Sequence, residues 1–144
     1  MRLARAFPAL GLAALALTAC GGGSTVEVTL QEFAVSTGSG SAPAGSVTFE
    51  VTNDGPNDPH ELVVVKTDLS PTELPTNDDG SFNESGEGVE LINEIEEFPV
   101  GNTESITLDL EAGSYVLLCN LVEEEEGATE AHYAEGMRTG FTVE

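Results

Sequence analysis

The apolar residues of this chain recur in short runs at strand spacing, and that pattern leaves few folds open. Val47-Thr48-Phe49-Glu50-Val51 and Ile106-Thr107-Leu108-Asp109-Leu110 alternate apolar and polar, as strands with one buried face do. Leu62-Val63-Val64-Val65 and Tyr115-Val116-Leu117-Leu118 are continuous apolar runs, which predicts strands buried on both faces. Val26, Val28 and Leu30 share one phase while Phe33 and Val35 take the other, so a bulge is expected near Gln31-Glu32. Turn residues separate the runs at Ser36 to Gly45, Asn53-Asp54-Gly55-Pro56 and Glu111 to Ser114, and Arg138 to Val143 forms a closing strand. Val89 to Ile95 fits either a strand or a helical turn. About seven or eight short strands and no convincing helix predict an all-β sandwich. The chain of 144 residues holds one such domain with a sizeable core.

The first residues have a different logic. Arg2 and Arg5 precede an apolar stretch, Ala9 to Leu17, too short to span a bilayer. Leu17-Thr18-Ala19-Cys20 resembles the lipobox of bacterial lipoproteins. That resemblance implies a signal peptide over 1–19, cleavage before Cys20 and lipidation of Cys20. Residues 20–25 become the lipidated Cys20 and a short glycine-rich tether, Gly21 to Thr25, and 26–144 the folded domain, held outside the cytoplasm at a membrane face. An ordinary secretory signal is the alternative. A tether of five residues reaches about 12 Å, which keeps the domain close to the lipid.

Charge narrows the partners. The chain carries 26 acidic and 4 basic residues, a formal net of -22. Removal of the leader leaves Lys66 and Arg138 as the only bases. Such a surface repels nucleic acid, and salt would screen its self-repulsion. The long polar segment Asp68 to Gly88 predicts a surface excursion with little regular structure. Asn77-Asp78-Asp79-Gly80 within it suggests a calcium loop, but Pro75 and Gly86 stand where that pattern needs acids.

The residues that carry chemistry are few. Beyond the leader and Cys20 the chain has one cysteine, two histidines and one methionine: Cys119, His60, His132 and Met137. If Cys20 is lipidated, Cys119 has no disulfide partner and is open to oxidation unless something protects it. Singly, each residue is ordinary. A histidine before a strand, a cysteine ending one and a lone methionine are usually packing residues. Together they form a thiolate, two imidazoles and a weak thioether, the ligand set of a mononuclear blue-copper centre. Cys119 ends a strand, His132 and Met137 share one loop after it, and His60 comes from a distant strand.

On these residues the chain resembles the cupredoxins, the relatives of plastocyanin and azurin. Asn53 and Gly55 ahead of His60 carry the resemblance, with Gly113 to Asn120, His132-Tyr133-Ala134-Glu135-Gly136-Met137 and Phe141-Thr142-Val143. It spans nearly all of Val26 to Glu144. It implies a Greek-key sandwich or barrel and one type 1 copper ion. His60, Cys119 and His132 would be equatorial ligands and Met137 the long axial one. The backbone N–H of Glu61 would donate to the thiolate, Asn53 would tie the two ligand loops, and the edge of His132 would lie near the surface as the electron exit. The chain departs from the family in the twelve residues Asn120 to Ala131, where the family usually has only a few. The glutamates there, Glu123-Glu124-Glu125-Glu126, are expected to be a solvated loop. The sharper alternative puts them beside the copper, where they would select a basic partner and lower the potential.

The expected function is a membrane-tethered, monomeric one-electron carrier, not an enzyme. Its partner would be a cytochrome, an oxidase or another copper protein. Rival readings are a copper-delivery protein, a metal-free extracellular adhesion domain and a cysteine hydrolase using Cys119 and His132. The hydrolase leaves His60 and Met137 unexplained. Zinc would prefer another ligand to a thioether. A binuclear copper site would need a second cysteine in the domain.

Overall fold

A computed structural model describes residues 22–144 except 126, and the backbone alone of 125. The expected signal peptide and the expected lipidation site, Cys20, lie outside the described residues. Eleven strands and one helical turn follow in the order β1 (Ser24–Gln31), β2 (Ala34–Thr37), β3 (Ser41–Ala42), β4 (Gly45–Gly55), β5 (His60–Lys66), β6 (Glu90–Phe98), β7 (Thr103–Leu110), β8 (Gly113–Leu118), β9 (Val122–Glu125), β10 (Ala128–Ala131), α1 (His132–Glu135) and β11 (Arg138–Val143). The excess over the expected seven or eight comes from segments of two to four residues, β2, β3 and the β9–β10 pair. Such short segments give hydrophobic alternation little to register.

The strands form two packed sheets, β2-β1-β4-β7 and β3-β11-β8-β5-β6, with β9 and β10 as a separate hairpin. β1 runs parallel to β4 and β3 parallel to β11, while the other pairs are antiparallel. The chain crosses between sheets from β4 to β5 and from β6 to β7, so the predicted sandwich is what forms. The phase change after Leu30 has a different cause from the expected bulge alone. The chain turns at Glu32-Phe33 into β2, and the β1/β4 register also shifts between Leu30 and Gln31. The uncertain segment near Val89 is strand β6. β1 begins at Ser24, with Ser24 and Thr25 paired to Val47 and Thr48.

Period-two burial builds the core. Val26, Val28 and Leu30 of β1 and Val47, Phe49 and Val51 of β4 meet Leu62, Val64, Leu117, Phe141 and Val143 of the opposite sheet. Phe49 and Phe141 pack edge to face with centroids 5.4 Å apart. The outward residues Val63, Val65, Val116 and Leu118 are also buried, in a second cluster with Leu74, Phe82 and Tyr133. Leu74 and Phe82 belong to the 68–88 excursion, which has no strand and a single bridge, Thr76 to Phe82. The excursion is therefore irregular as expected, but it walls the outer face of β5 and β8. That second cover is why both strands read as unbroken apolar runs.

Candidate metal centre

One end of the sandwich gathers the ligand residues. His60 opens β5 opposite Phe98 of β6, Cys119 follows the last residue of β8, and His132 opens α1 after the β9–β10 hairpin. The backbone fixes their relation. The N–H of Cys119 donates to the Met137 carbonyl at 3.0 Å, and those of Met137 and Gly136 donate to the His132 carbonyl at 3.0 and 3.2 Å. The His132 N–H donates to the Leu121 carbonyl at 2.9 Å, which closes the twelve-residue insertion on itself. Gly136 has φ 130°, and a Cβ there would stand 3.1 Å from the Phe33 carbonyl oxygen, so this tight turn requires glycine.

Three donor atoms converge. The Nδ1 atoms of His60 and His132 are 3.3 Å apart, and Cys119 Sγ lies 4.0 Å from the first and 3.4 Å from the second. All three residues are fully buried. A triangle with these sides has a circumradius of about 2.1 Å. That is within reach of metal–nitrogen and metal–sulfur bonds of ~2.0–2.3 Å. The residues as they stand can thus enclose one ion with little movement. Met137 is fully buried in the same apolar cluster as Cys119, and its backbone bonds both Cys119 and His132.

Burial holds the ligand groups Cys119 and His60 in their neutral forms. Burial pushes the Cys119 thiol up to about 12; the backbone N–H groups of Glu61 and Leu121 oppose this, and Glu61 and Glu123 add to it. Without a positive ion the sulfur keeps its proton, so binding must displace it. His60 is held below the usual histidine range by burial and by His132, against Glu32 and Asp58. A neutral imidazole is what a metal needs.

Asn53, fully buried, accepts the Gly55 N–H at 2.8 Å and donates to the carbonyls of Asp58 at 3.0 Å and Phe98 at 3.1 Å. It ties the turn before His60 to β6, not to the Cys119 loop as expected. That second link belongs to Glu61 and Asn120. The Asn120 N–H donates to Glu61 Oε1 at 3.0 Å. The Asn120 side chain accepts the Phe82 N–H at 2.6 Å and donates to the Phe82 carbonyl at 3.1 Å and to Glu84 at 3.2 Å. Burial, with Glu94, Glu84 and Glu96 nearby, raises the Glu61 carboxyl to about 7 against the Asn120 N–H. Sequence reasoning passed over Glu61 as a side chain and over Asn120 as an anchor; their only signal was adjacency to His60 and Cys119.

Two expectations about the insertion are corrected. The segment expected as a loop pairs Val122–Glu125 with Ala128–Ala131 as a hairpin, in which Glu124 is exposed as expected while Glu123 is half-buried. The His132 edge is not at the surface. Its exposure is 0%, Phe33 packs against it edge-on at 5.3 Å between centroids, and Glu123 Oε2 lies 3.4 Å from its Nε2. The insertion folds a glutamate onto the nitrogen that the resemblance would have left near solvent.

No family model matches the sequence, and no curated protein does. Solved structures match. A reduced auracyanin from the photosynthetic bacterium Roseiflexus castenholzii is 24% identical over 84% of this chain and 97% of its own, with a TM-score of 0.59. Auracyanin A, a "blue" copper protein from the green thermophilic photosynthetic bacterium Chloroflexus aurantiacus, is 20% identical over 85% and 100%, with a TM-score of 0.54. Rusticyanin from Thiobacillus ferrooxidans is 17% identical over 85% and 79%, with a TM-score of 0.53. The fold is cupredoxin-like. On that fold the His60, Cys119 and His132 cluster fits one type 1 copper ion, since a soft thiolate with two imidazoles is the donor set such an ion takes.

Proposed function

We propose that the protein is a membrane-tethered one-electron carrier that holds a single copper ion through His60, Cys119 and His132, with Met137 as the weak axial ligand. The convergence of Cys119 Sγ and the two Nδ1 atoms within 4.0 Å, fully buried, carries this reading. Bound copper would supply the redox couple, Cu(I) and Cu(II). The protein supplies a fixed geometry from β5, the end of β8 and the closed turn His132 to Met137. Water is excluded by the apolar cluster around Cys119 and Met137. A site with every ligand buried suits retention of the ion more than delivery. No substrate bond is made or broken in this role.

The lipobox-like Leu17-Thr18-Ala19-Cys20 supports an anchor at Cys20, four residues before the strand begins at Ser24. The copper domain would then work at a membrane face outside the cytoplasm. The acid-rich surface favours a basic redox partner, with association that weakens as salt rises.

Adding Cu(II) to the purified protein tests the reading. The expected result is an intense blue absorption from the thiolate–copper bond, absent in Cys119→Ser. Colourless protein, or a spectrum that Cys119→Ser leaves unchanged, overturns it. Cys20→Ser is expected to release the protein from membranes into the soluble fraction; retention contradicts the anchor.

A further inference from the structure

Both ligand imidazoles turn their second nitrogen toward a carboxylate. His132 Nε2 lies 3.4 Å from Glu123 Oε2, with the glutamate side chain 28% exposed. His60 Nε2 lies 3.8 Å from Glu32 Oε1, with the glutamate side chain 9% exposed. Glu32 is itself fixed, because its Oε1 accepts the N–H groups of Asn57 at 3.0 Å and Asp58 at 2.5 Å. Those bonds hold its carboxyl below the usual range although burial pulls the other way. The His60 Nε2 and Glu32 Oε2 atoms are both buried without a hydrogen bond. Around His132 the charge is denser still. Asp58, Glu123 and Glu130 each place an oxygen within 4.8 Å of one another and of a His132 ring nitrogen. Glu123 and Glu130 face each other across the hairpin.

We propose that Glu32 and Glu123 are positioning residues that accept the Nε2–H of His60 and His132 and set the copper toward Cu(II). This rests on the proposed copper site. An imidazole bound through Nδ1 must carry its proton on Nε2, so each carboxylate fixes the tautomer and ring orientation that ligation needs. The 3.8 Å gap at His60 closes to the ~3 Å of a hydrogen bond with a small ring movement. A carboxylate behind an imidazole makes it a stronger donor, and negative charge near the ion stabilises the higher oxidation state. The arrangement also gives the insertion a task. Its first strand delivers Glu123, and the hairpin encloses the nitrogen that would otherwise face solvent.

The test compares wild type, Glu32→Gln, Glu123→Gln and Glu124→Gln by Cu(II) competition titration, midpoint potential and apo-protein melting. Gln keeps an acceptor of the same size and removes the charge. Glu124, on the same strand, accepts from Thr129 and makes no histidine contact, so it is the control. Glu32→Gln and Glu123→Gln are each expected to lose 10- to 100-fold in Cu(II) affinity, the usual cost of removing such a partner. Where Cu(I) affinity falls tenfold less than Cu(II) affinity, the potential rises by about 59 mV. Glu123→Gln should melt near wild type without copper, which a merely structural role does not predict together with a raised potential; Glu32→Gln, which also gives up the charge on its bonds to Asn57 and Asp58, should melt lower. Glu32 and Glu123 lie on separate segments, so either variant alone keeps the test decisive if the other does not fold. A blue wild type with both variants matching Glu124→Gln overturns this inference and spares the copper site. A wild type that binds no copper overturns both.

Discussion

Asn120 is expected to fasten the 68–88 excursion to the metal end of the domain, and replacing it with Ala should cost about 2–3 kcal/mol. Its Oδ1 accepts the Phe82 N–H at 2.6 Å, and its amide donates to the Phe82 carbonyl at 3.1 Å. Phe82 is 1% exposed, so its N–H, once orphaned, has no water to turn to. A buried donor left unsatisfied costs about 1–3 kcal/mol. The Phe82 carbonyl is less exposed to loss, because Asn77 also reaches it at 3.5 Å. The bond to Glu84 is at the surface and adds little. At roughly 3–5 °C per kcal/mol for a domain of this size, the apo-protein should melt about 6–15 °C lower. Asn120→Asp keeps the acceptor but loses the donors and adds charge beside Glu61 and Glu84, so it should also destabilise. Asn83→Ala, which removes only an exposed turn bond to Ser85, should stay within ~0.5 kcal/mol of wild type. Urea or thermal unfolding of the three variants decides the matter. An Asn120→Ala loss no larger than that of Asn83→Ala would refute the anchoring role.

Three further outcomes are expected. Glu61→Gln should stabilise the apo-protein at pH 8 by about 1–2 kcal/mol, discounted for partial exposure, and leave it unchanged near pH 4. The Glu61 carboxyl is raised from 4.5 to about 7 in the fold, so its burden is absent below 4.5, grows between 4.5 and 7 and is full above 7; equal melting shifts at both pH values would contradict this. Gly136→Ala should cost about 1–3 kcal/mol and weaken copper binding, because the residue needs φ 130° and its Cβ would crowd the Phe33 carbonyl; unfolding and copper titration check it. Met137→Leu should keep the blue colour and raise the potential, since the axial ligand tunes it, and voltammetry would show an unchanged potential if Met137 is only core filler.

How much of this was legible beforehand follows from the range of each interaction. Val47 to Val51 and Ile106 to Leu110 declared their strands because one face is buried and one is wet, and period-two burial writes itself into residue type. Leu62 to Val65 and Tyr115 to Leu118 announced strands covered twice, though not that Leu74 and Phe82 of an acidic, proline-containing loop supply the second cover. The proposed ligands were legible because Cys119, His60, His132 and Met137 have no rivals of their kind in the domain. The setting of those ligands was not. The contacts of Glu32 and Glu123 with the imidazoles depend on a turn at Glu32-Phe33 and a hairpin at 122–131. Both are short; Glu32 carried no signal of its own, and the run Glu123 to Glu126 stood out only as the less favoured alternative beside the copper. Asn53 was correctly singled out, but its partners depended on which loop the fold brings within 3 Å.

X-ray absorption at the copper edge of the Cu(II)-loaded protein, with Cys119→Ser and His132→Ala alongside, tests the central assignment most directly. The account predicts one short sulfur and two imidazole nitrogens around a single copper, the sulfur vanishing with the first substitution and one nitrogen with the second. A copper shell of nitrogen and oxygen alone in the unsubstituted protein, unaltered by either change, would contradict it.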